Sequence, residues 1–275
     1  MQLPLSAAAA SRLEVLPECG STNTELVSRA SGADGELWPD FSVVVTDNQT
    51  DGRGRLGRVW VAPPGQALAI SVLLRPRLPT GEPLEIAHFG WLPLIAGLAM
   101  TTALAPLLPH HSVRLKWPND VQVDGRKVSG LLAELLPAGR AGLDHAVVMG
   151  AGLNLTITSA DLPTPTSTSL ALNDPVVEDA DLADRALAGY LVELGRLYGD
   201  FLRFGADPES SGIAELLREL CGTLGQQVRV LLPGGDELIG TAIGVDGTGR
   251  LSVKKSSDGR VVAVAAGDVT HLRYE

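Results

Sequence analysis

Cysteine is scarce in this 275-residue chain, with Cys19 and Cys221 the only two. Two cysteines supply neither a disulfide framework nor a zinc-ligand spacing, and they fit a reducing compartment, the cytoplasm. Histidine is sparse too. His88, His110, His111, His145 and His271 lie on no H-x-x-x-H or H-E-x-x-H pattern, so no structural metal is expected. Basic charge is in short supply, with 22 lysines and arginines against 32 acids and a net charge of -10. Nucleic-acid binding normally needs a basic face, so no DNA partner is expected and any positive site must be local. No G-x-x-x-x-G-K-[ST] occurs, which excludes a P-loop. No helix-turn-helix is expected at the N-terminus, because strand-like sequence begins by residue 13.

What is present is material for a core: 45% hydrophobic residues and 20% charged, in a length that suits one large domain or a large and a small one. The stretch LPLSAAAASRL near the start lacks the basic n-region of a signal peptide. Residues 89–108 carry no formal charge and are long enough to span a bilayer. Pro93 and Pro106 interrupt that run, Thr101 and Thr102 dilute it, and no basic flank orients it. A buried helix over roughly 83–105 is the expectation, and no membrane partner.

The rest reads as an α+β body. LEVLP (13–17), FSVVVTDNQT (41–50), 68–74, SVRLKW (112–117) and HAVVMGAGLNLTI (145–157) read as strands, with a helix beginning near Asn23 behind a Ser21 or Thr22 cap. Alternating runs on either side of Asp124-Gly125 predict a hairpin. Residues 160–175 read as a polar, proline-bearing loop, and 179–204 have helical apolar spacing. After about residue 220 come short strands with glycine turns, the pattern of a small SH3-like β-barrel. The expected division is a catalytic domain over 1–215 and the barrel over 216–275.

Two stretches carry chemistry. DGRGRLGRVW (51–60) spells G-x-G-x-x-G with Gly52, Gly54 and Gly57. A dinucleotide site needs a helix after the glycines, but extended sequence with Pro63-Pro64 follows. A kinase needs a lysine on the next strand, H-R-D and D-F-G, and none is present. Glycines let a backbone close over a ligand, and Arg53, Arg55 and Arg58 supply forked donors for carboxylate or phosphate. Three arginines so close repel one another without an anion, so the loop reads as an anion-gated lid rather than a solvated turn. The second stretch is KWPND (116–120) followed by DGRKVSG (124–130). Lys116 and Lys127 bracket a hairpin, with Asn119 and Asp120 between strands. Two ammonium groups, an amide and a carboxylate suit a phosphoryl-bearing substrate with magnesium.

STN (21–23), QTDGRGRLGRVW (49–60), KWPND with GRKVSG, and GAGLNL (150–155), in this order and spacing, resemble the biotin protein ligases. The motifs span about residues 10–160, and the C-terminal β-module fits that family's small final domain. The resemblance implies a mixed sheet packed with helices, class II synthetase-like, and a two-step reaction. Biotin and ATP-Mg give biotinyl-5'-AMP and pyrophosphate, and biotin then passes to a lysine of a biotin carboxyl carrier domain. It implies a biotin pocket of Ser21, Thr22, Asn23, Gln49, Gly52, Arg53, Lys127 and Gly130. Arg55, Arg58, Trp60, Lys116, Asn119 and Asn154 would serve ATP or the adenylate, and Asp120 the magnesium. Lys127, Arg53 and Asp120 would be the catalytic group. Some relatives carry another arginine where this chain has Leu56, which implies weaker ATP binding here. A lipoate or octanoate ligase would carry R-R-x-S-G-G-G, which is absent. A non-catalytic biotin-binding protein would bind biotin without releasing pyrophosphate.

Overall fold

A computed structural model describes residues 1–136, 144–174, 181–232, 236–265 and 268–271, without the side chains of Leu56, Asp268 and Thr270. The charge difference expected at Leu56 therefore lies outside the described side chains. The N-terminal segment forms α1 (Pro4–Ala9), β1 (Arg12–Val15), α2 (Thr22–Ser31) and β2 (Ser42–Thr46). The glycine loop folds on itself as a short hairpin, β3 (Gly52–Arg53) with β4 (Val59–Trp60). Then follow β5 (Ala67–Leu74), α3 (Leu92–Leu104), β6 (Val113–Lys116), β7 (Asp120–Val123), β8 (Arg126–Leu136) and β9 (Ala146–Asn154). Seven strands make the central sheet, in the order β1-β2-β5-β9-β8-β7-β6. Only β1 and β2 run parallel; the other neighbours are antiparallel.

The continuous apolar run of β5 has its reason here: all eight residues are buried, because both faces of the sheet are covered. One face packs on α3, which buries Leu92, Leu94, Ile95, Leu98, Met100 and Leu104. The charge-free run is thus a core helix, apolar nearly all round because it is enclosed. It starts later than expected. Residues 86–91 form 3₁₀ turns, and the α-helix begins at Leu92, placing Pro93 in the first turn where its missing N–H costs nothing.

After β9 come α4 (Leu170–Asn173), α5 (Leu182–Arg203) and α6 (Ile213–Leu220). The expected boundary at 215/216 falls inside α6, which packs on α3 and β6. The small module begins only at β10 (Gln227–Leu231) and continues through β11 (Glu237–Val245), β12 (Leu251–Lys255), β13 (Val261–Val264) and β14 (Asp268–His271). It is fully antiparallel in the order β13-β12-β11-β10-β14. Buried tryptophans join it to the larger body. The Trp91 indole donates to the Gly247 carbonyl at 3.0 Å, and the Trp117 indole donates to the Gly249 carbonyl at 3.5 Å.

The sequence reading gave no helix at α1, since six residues are too few to show a period. One contact explains it. The Asp184 carboxylate of α5 accepts from the N–H groups of Leu5 and Ser6 at 2.9 and 2.8 Å and from Ser6 Oγ at 2.6 Å. Burial pushes the Asp184 pKa up, but these hydrogen bonds outweigh burial and hold it below the ordinary carboxylate value. A carboxyl whose folded value is lowered stabilises the fold above the unfolded value and loses that contribution as the pH falls through the folded value. We expect Asp184→Ala to cost about 1–3 kcal/mol near neutral pH. The penalty should be full above about pH 4 and shrink below it, as checked by denaturant unfolding across that range.

Candidate active site

The site follows from two rows of paired residues that cross the sheet on the face opposite α3. One row reads Thr46, Ala69, Gly152, Gly130, Asp120, Lys116 from β2 to β6. The adjacent row reads Val44, Ser71, Gly150, Leu132. The middle of both rows has almost no side chains, and other groups occupy the vacated space. A Cβ on Gly150 would lie 2.5 Å from Asn23 Oδ1, one on Gly152 2.4 Å from the Trp60 ring, and one on Gly130 2.7 Å from Lys127 Nζ. Above this floor is a cavity of about 380 Å³, within the range of small-molecule sites.

One end of the cavity is neutral. Ser21 caps α2, its Oγ accepting from the Thr24 N–H, and the helix start then presents Thr22 and Asn23 to the cavity. Gln49 Oε1 accepts from the Thr22 N–H at 2.9 Å, joining the two loops. Ser71 Oγ donates to Asn23 Oδ1 at 2.6 Å and lies 2.8 Å from Thr22 Oγ1. Asn23 Nδ2 donates to Glu134 Oε1 at 2.8 Å.

The other end is basic. Arg55, Arg58, Lys116 and Lys127 line it, with Asn119 and Asp120. Lys127 arrives there through a β-bulge. Val121 pairs with Ser129 but Gln122 pairs with Lys127, so Val128 is an extra residue in β8. In a regular ladder Val128 would share the cavity face with Gly130, and Lys127 would point into the core. The bulge reverses this: Val128 is fully buried, and Lys127 Nζ reaches Asp120 Oδ1 at 2.7 Å. It also stands 5.8 Å from the centre of the Trp60 ring. The polar loop after β9 clamps the same residue. The Lys127 N–H donates to Thr166 O and its carbonyl accepts from the Thr168 N–H, both at 2.8 Å.

Charge at this end is left for a ligand to balance. Burial pushes the Lys116 ammonium below the usual lysine value; Asp120 opposes this, and Lys127 and Arg58 add to it. Burial likewise lowers Arg55, with Asp120 opposing and Arg58 adding. Arg55 Nη1 donates to Asn119 Oδ1 at 3.0 Å, and Asn119 Nδ2 donates to the Leu131 carbonyl at 2.7 Å.

Three expected residues stand differently from the sequence reading. Gly52 is not among the lining residues; it lies behind them, where a Cβ would strike Gln49 Nε2 and the Trp60 carbonyl. Asn154 is also behind the lining, with Nδ2 on Thr168 O at 2.8 Å and its buried Oδ1 without a partner among the described residues. Arg53 lines the cavity at the Asn23 end rather than beside the lysines, where it donates to Thr24 Oγ1 at 2.8 Å and pairs with Glu134 at 3.2 Å. Not expected from the sequence were the lining residues Pro163, Thr164, Thr166 and Ser167 of the loop and Val269 of the small barrel, and, behind the lining, Ser71 and Glu134, which hold Asn23. Two of them had a visible signal: a hydroxyl inside ALAISVLL and an acid inside LLAELL. Among the described residues no three His, Cys, Asp or Glu side chains gather as a metal site.

The family model described as biotin/lipoate A/B protein ligase family matches residues 20–154, and that of the biotin protein ligase C-terminal domain matches 223–272. The chain is 35% identical over 265 residues to a biotin–[acetyl-CoA-carboxylase] ligase of Mycobacterium tuberculosis, covering 95% of this chain and 90% of that one. Its identity to the enzyme of that name from Paracoccus denitrificans is 30%, over 91% of this chain and 98% of the other. The structure of the biotin protein ligase from Aquifex aeolicus in complex with biotin and ATP is similar with a TM-score of 0.70 at 25% identity, covering 96% of this chain and 100% of that one. With one cavity built from the motifs of all four stretches, and with matches of this extent, the chain belongs to the biotin protein ligase family.

Proposed function

We propose that this protein activates biotin with ATP and transfers it to a lysine of a biotin carboxyl carrier domain. The observation that carries this reading is one cavity with a neutral, side-chain-poor end and a basic end in the same cross-strand row. The neutral end suits a fused ureido ring system, which offers N–H groups, one carbonyl and an apolar tail. Ser21, Thr22, Asn23 and Gln49 supply its polar partners. Trp60 and the glycine floor form an apolar slot between the two ends. The basic end suits triphosphate and the carboxylate that must meet it.

In the first step a biotin carboxylate oxygen attacks the α-phosphorus of ATP, the bond to the β-phosphate oxygen breaks, and pyrophosphate leaves. In the second the acceptor amine attacks the acyl carbon of the mixed anhydride, forming the amide and releasing AMP. Both reactants of the first step are anions, so the converging cations lower their repulsion and stabilise charge developing at phosphorus. Lys127 stands between floor and phosphate end, where the anhydride would form. Among the described residues Asp120 is the one acid at the basic end of the lining, and a magnesium ion carried in by ATP needs few protein ligands because phosphates and water supply the rest. The ion would neutralise phosphate charge there. Both cysteines are free and buried, in keeping with the cytoplasmic setting we assign.

Pyrophosphate release from ATP-Mg, measured with biotin, lipoate, octanoate or no acid, tests the proposal. A signal with biotin alone is expected; a signal with lipoate or octanoate alone would overturn the assignment of the neutral end. Lys127→Ala should lower the rate of pyrophosphate release by roughly 10²–10³ with circular dichroism unchanged. A normal rate would remove Lys127 from the chemistry. Arg53→Ala should shorten the retention of biotinyl-adenylate, read by filtration and mass spectrometry; an unchanged half-life would count against a lid.

A further inference from the structure

Glu134 is an acid behind the cavity's neutral end, where it touches the lining residues Asn23 and Arg53 although neither a ureido ring nor a phosphate calls for negative charge there. It lies on β8 in an otherwise apolar stretch, LLAELL, four residues beyond Gly130. That spacing puts it roughly 13 Å from the lysine end along the strand. Its Oε1 accepts from Asn23 Nδ2 at 2.8 Å and from Arg53 Nη2 at 3.2 Å. On the far side of Asn23, the buried Ser71 donates to Oδ1. A side-chain amide has one accepting and one donating end, so Ser71 and Glu134 together fix which way Asn23 faces.

We infer that Glu134 is a positioning residue with two tasks, a conclusion that rests on the biotin-activating reading above. It orients the Asn23 amide, and it holds Arg53 of the glycine loop in the ligand-free protein. Arg53 is the cation of that loop that reaches across to Glu134 and the α2 residue Thr24. Its side chain is 45% exposed and that of Glu134 28%. A pair this open to water is weak and exchangeable, which suits a latch better than a fixed strut. An incoming carboxylate or phosphate competes with Glu134 for Arg53, so the loop lets go of the sheet when the ligand supplies a replacement anion. The loop's glycines allow the rearrangement.

Two variants separate the tasks. Glu134→Gln keeps a carbonyl for Asn23 and removes the charge that holds Arg53; Glu134→Ala removes both. Trypsin cutting after Arg53, Arg55 and Arg58 in the ligand-free full chain reads the latch without any ligand. Both variants should be cut in this loop roughly two- to fivefold faster than the wild-type chain, with the rest of the chain as resistant as before. In calorimetric titration, Glu134→Gln should bind biotin at least as tightly as the wild-type chain, and Glu134→Ala about tenfold more weakly. Unchanged loop cleavage in both variants would overturn the latch, and equal biotin affinity of the two would overturn the orienting role. Faster cleavage spread over the whole chain would reduce Glu134 to a structural residue and overturn both. A wild-type chain that binds no biotin would refute the proposed function, while the trypsin comparison would still decide the latch.

Discussion

Everything at this site depends on side chains that are missing from one face of a buried sheet. The central strands are covered on both sides, and such strands normally fill both faces with branched apolar residues. The face toward α3 does so, with Leu68, Ile70 and Val72 of β5 fully buried. On the other face, Ala69, Ser71, Gly130, Gly150 and Gly152 leave a trough into which Asn23, Trp60 and Lys127 descend. Glycine in a strand costs about 0.5–1 kcal/mol relative to alanine, which the packed face opposite must offset. The pocket is a deliberate gap in a sheet that is otherwise solid.

The same cross-strand row explains why a chain of net charge -10 can bind anions. Moving outward from β5, the row changes from alanine and glycine to Asp120 and Lys116, and the bulge at Val128 brings in Lys127 beside them. Two acids hold cations of the lining in the ligand-free protein, Asp120 within it at the basic end and Glu134 behind it at the neutral end. Asp120 pairs with Lys127 and Glu134 with Arg53. The lowered Lys116 and Arg55 values have burial as their first cause, and a bound anion would relieve both. Each acid is therefore paired without substrate, while the cations lining the basic end outnumber Asp120 and are poised to take an anion. The segment leading into the small barrel and the barrel itself reach the same region: the Trp117 N–H donates to Thr223 Oγ1, anchoring the turn between Lys116 and Asn119, and Val269 reaches the cavity wall.

Much of this was legible in the sequence because the residues concerned are locally constrained. The β-branched run of β2, the Asp124-Gly125 turn and the enclosed helix α3 all announce themselves by composition over a few residues. The cations of the two motif stretches and the neutral residues of STN and Gln49 line one cavity. What stayed hidden depends on contacts distant in sequence. Helix α1 exists because Asp184, far along the chain, receives its first N–H groups. The bulge at Val128 cannot be read from KVSG, because alternation alone would have sent Lys127 into the core. Ser71 and Glu134 become partners of Asn23 only when β5, β8 and α2 meet, and Arg53 turns toward them for the same reason.

The central claim is that absent side chains make the pocket. Calorimetric titration of biotin into the wild-type chain and into Gly150→Ala and Gly152→Ala, each shown folded by circular dichroism, tests it most directly. The account predicts clear binding by the wild-type chain, and affinity weaker by at least about tenfold, or 1.4 kcal/mol, when either methyl group presses on Asn23 or Trp60. Folded variants that bind biotin as tightly as the wild-type chain would contradict it.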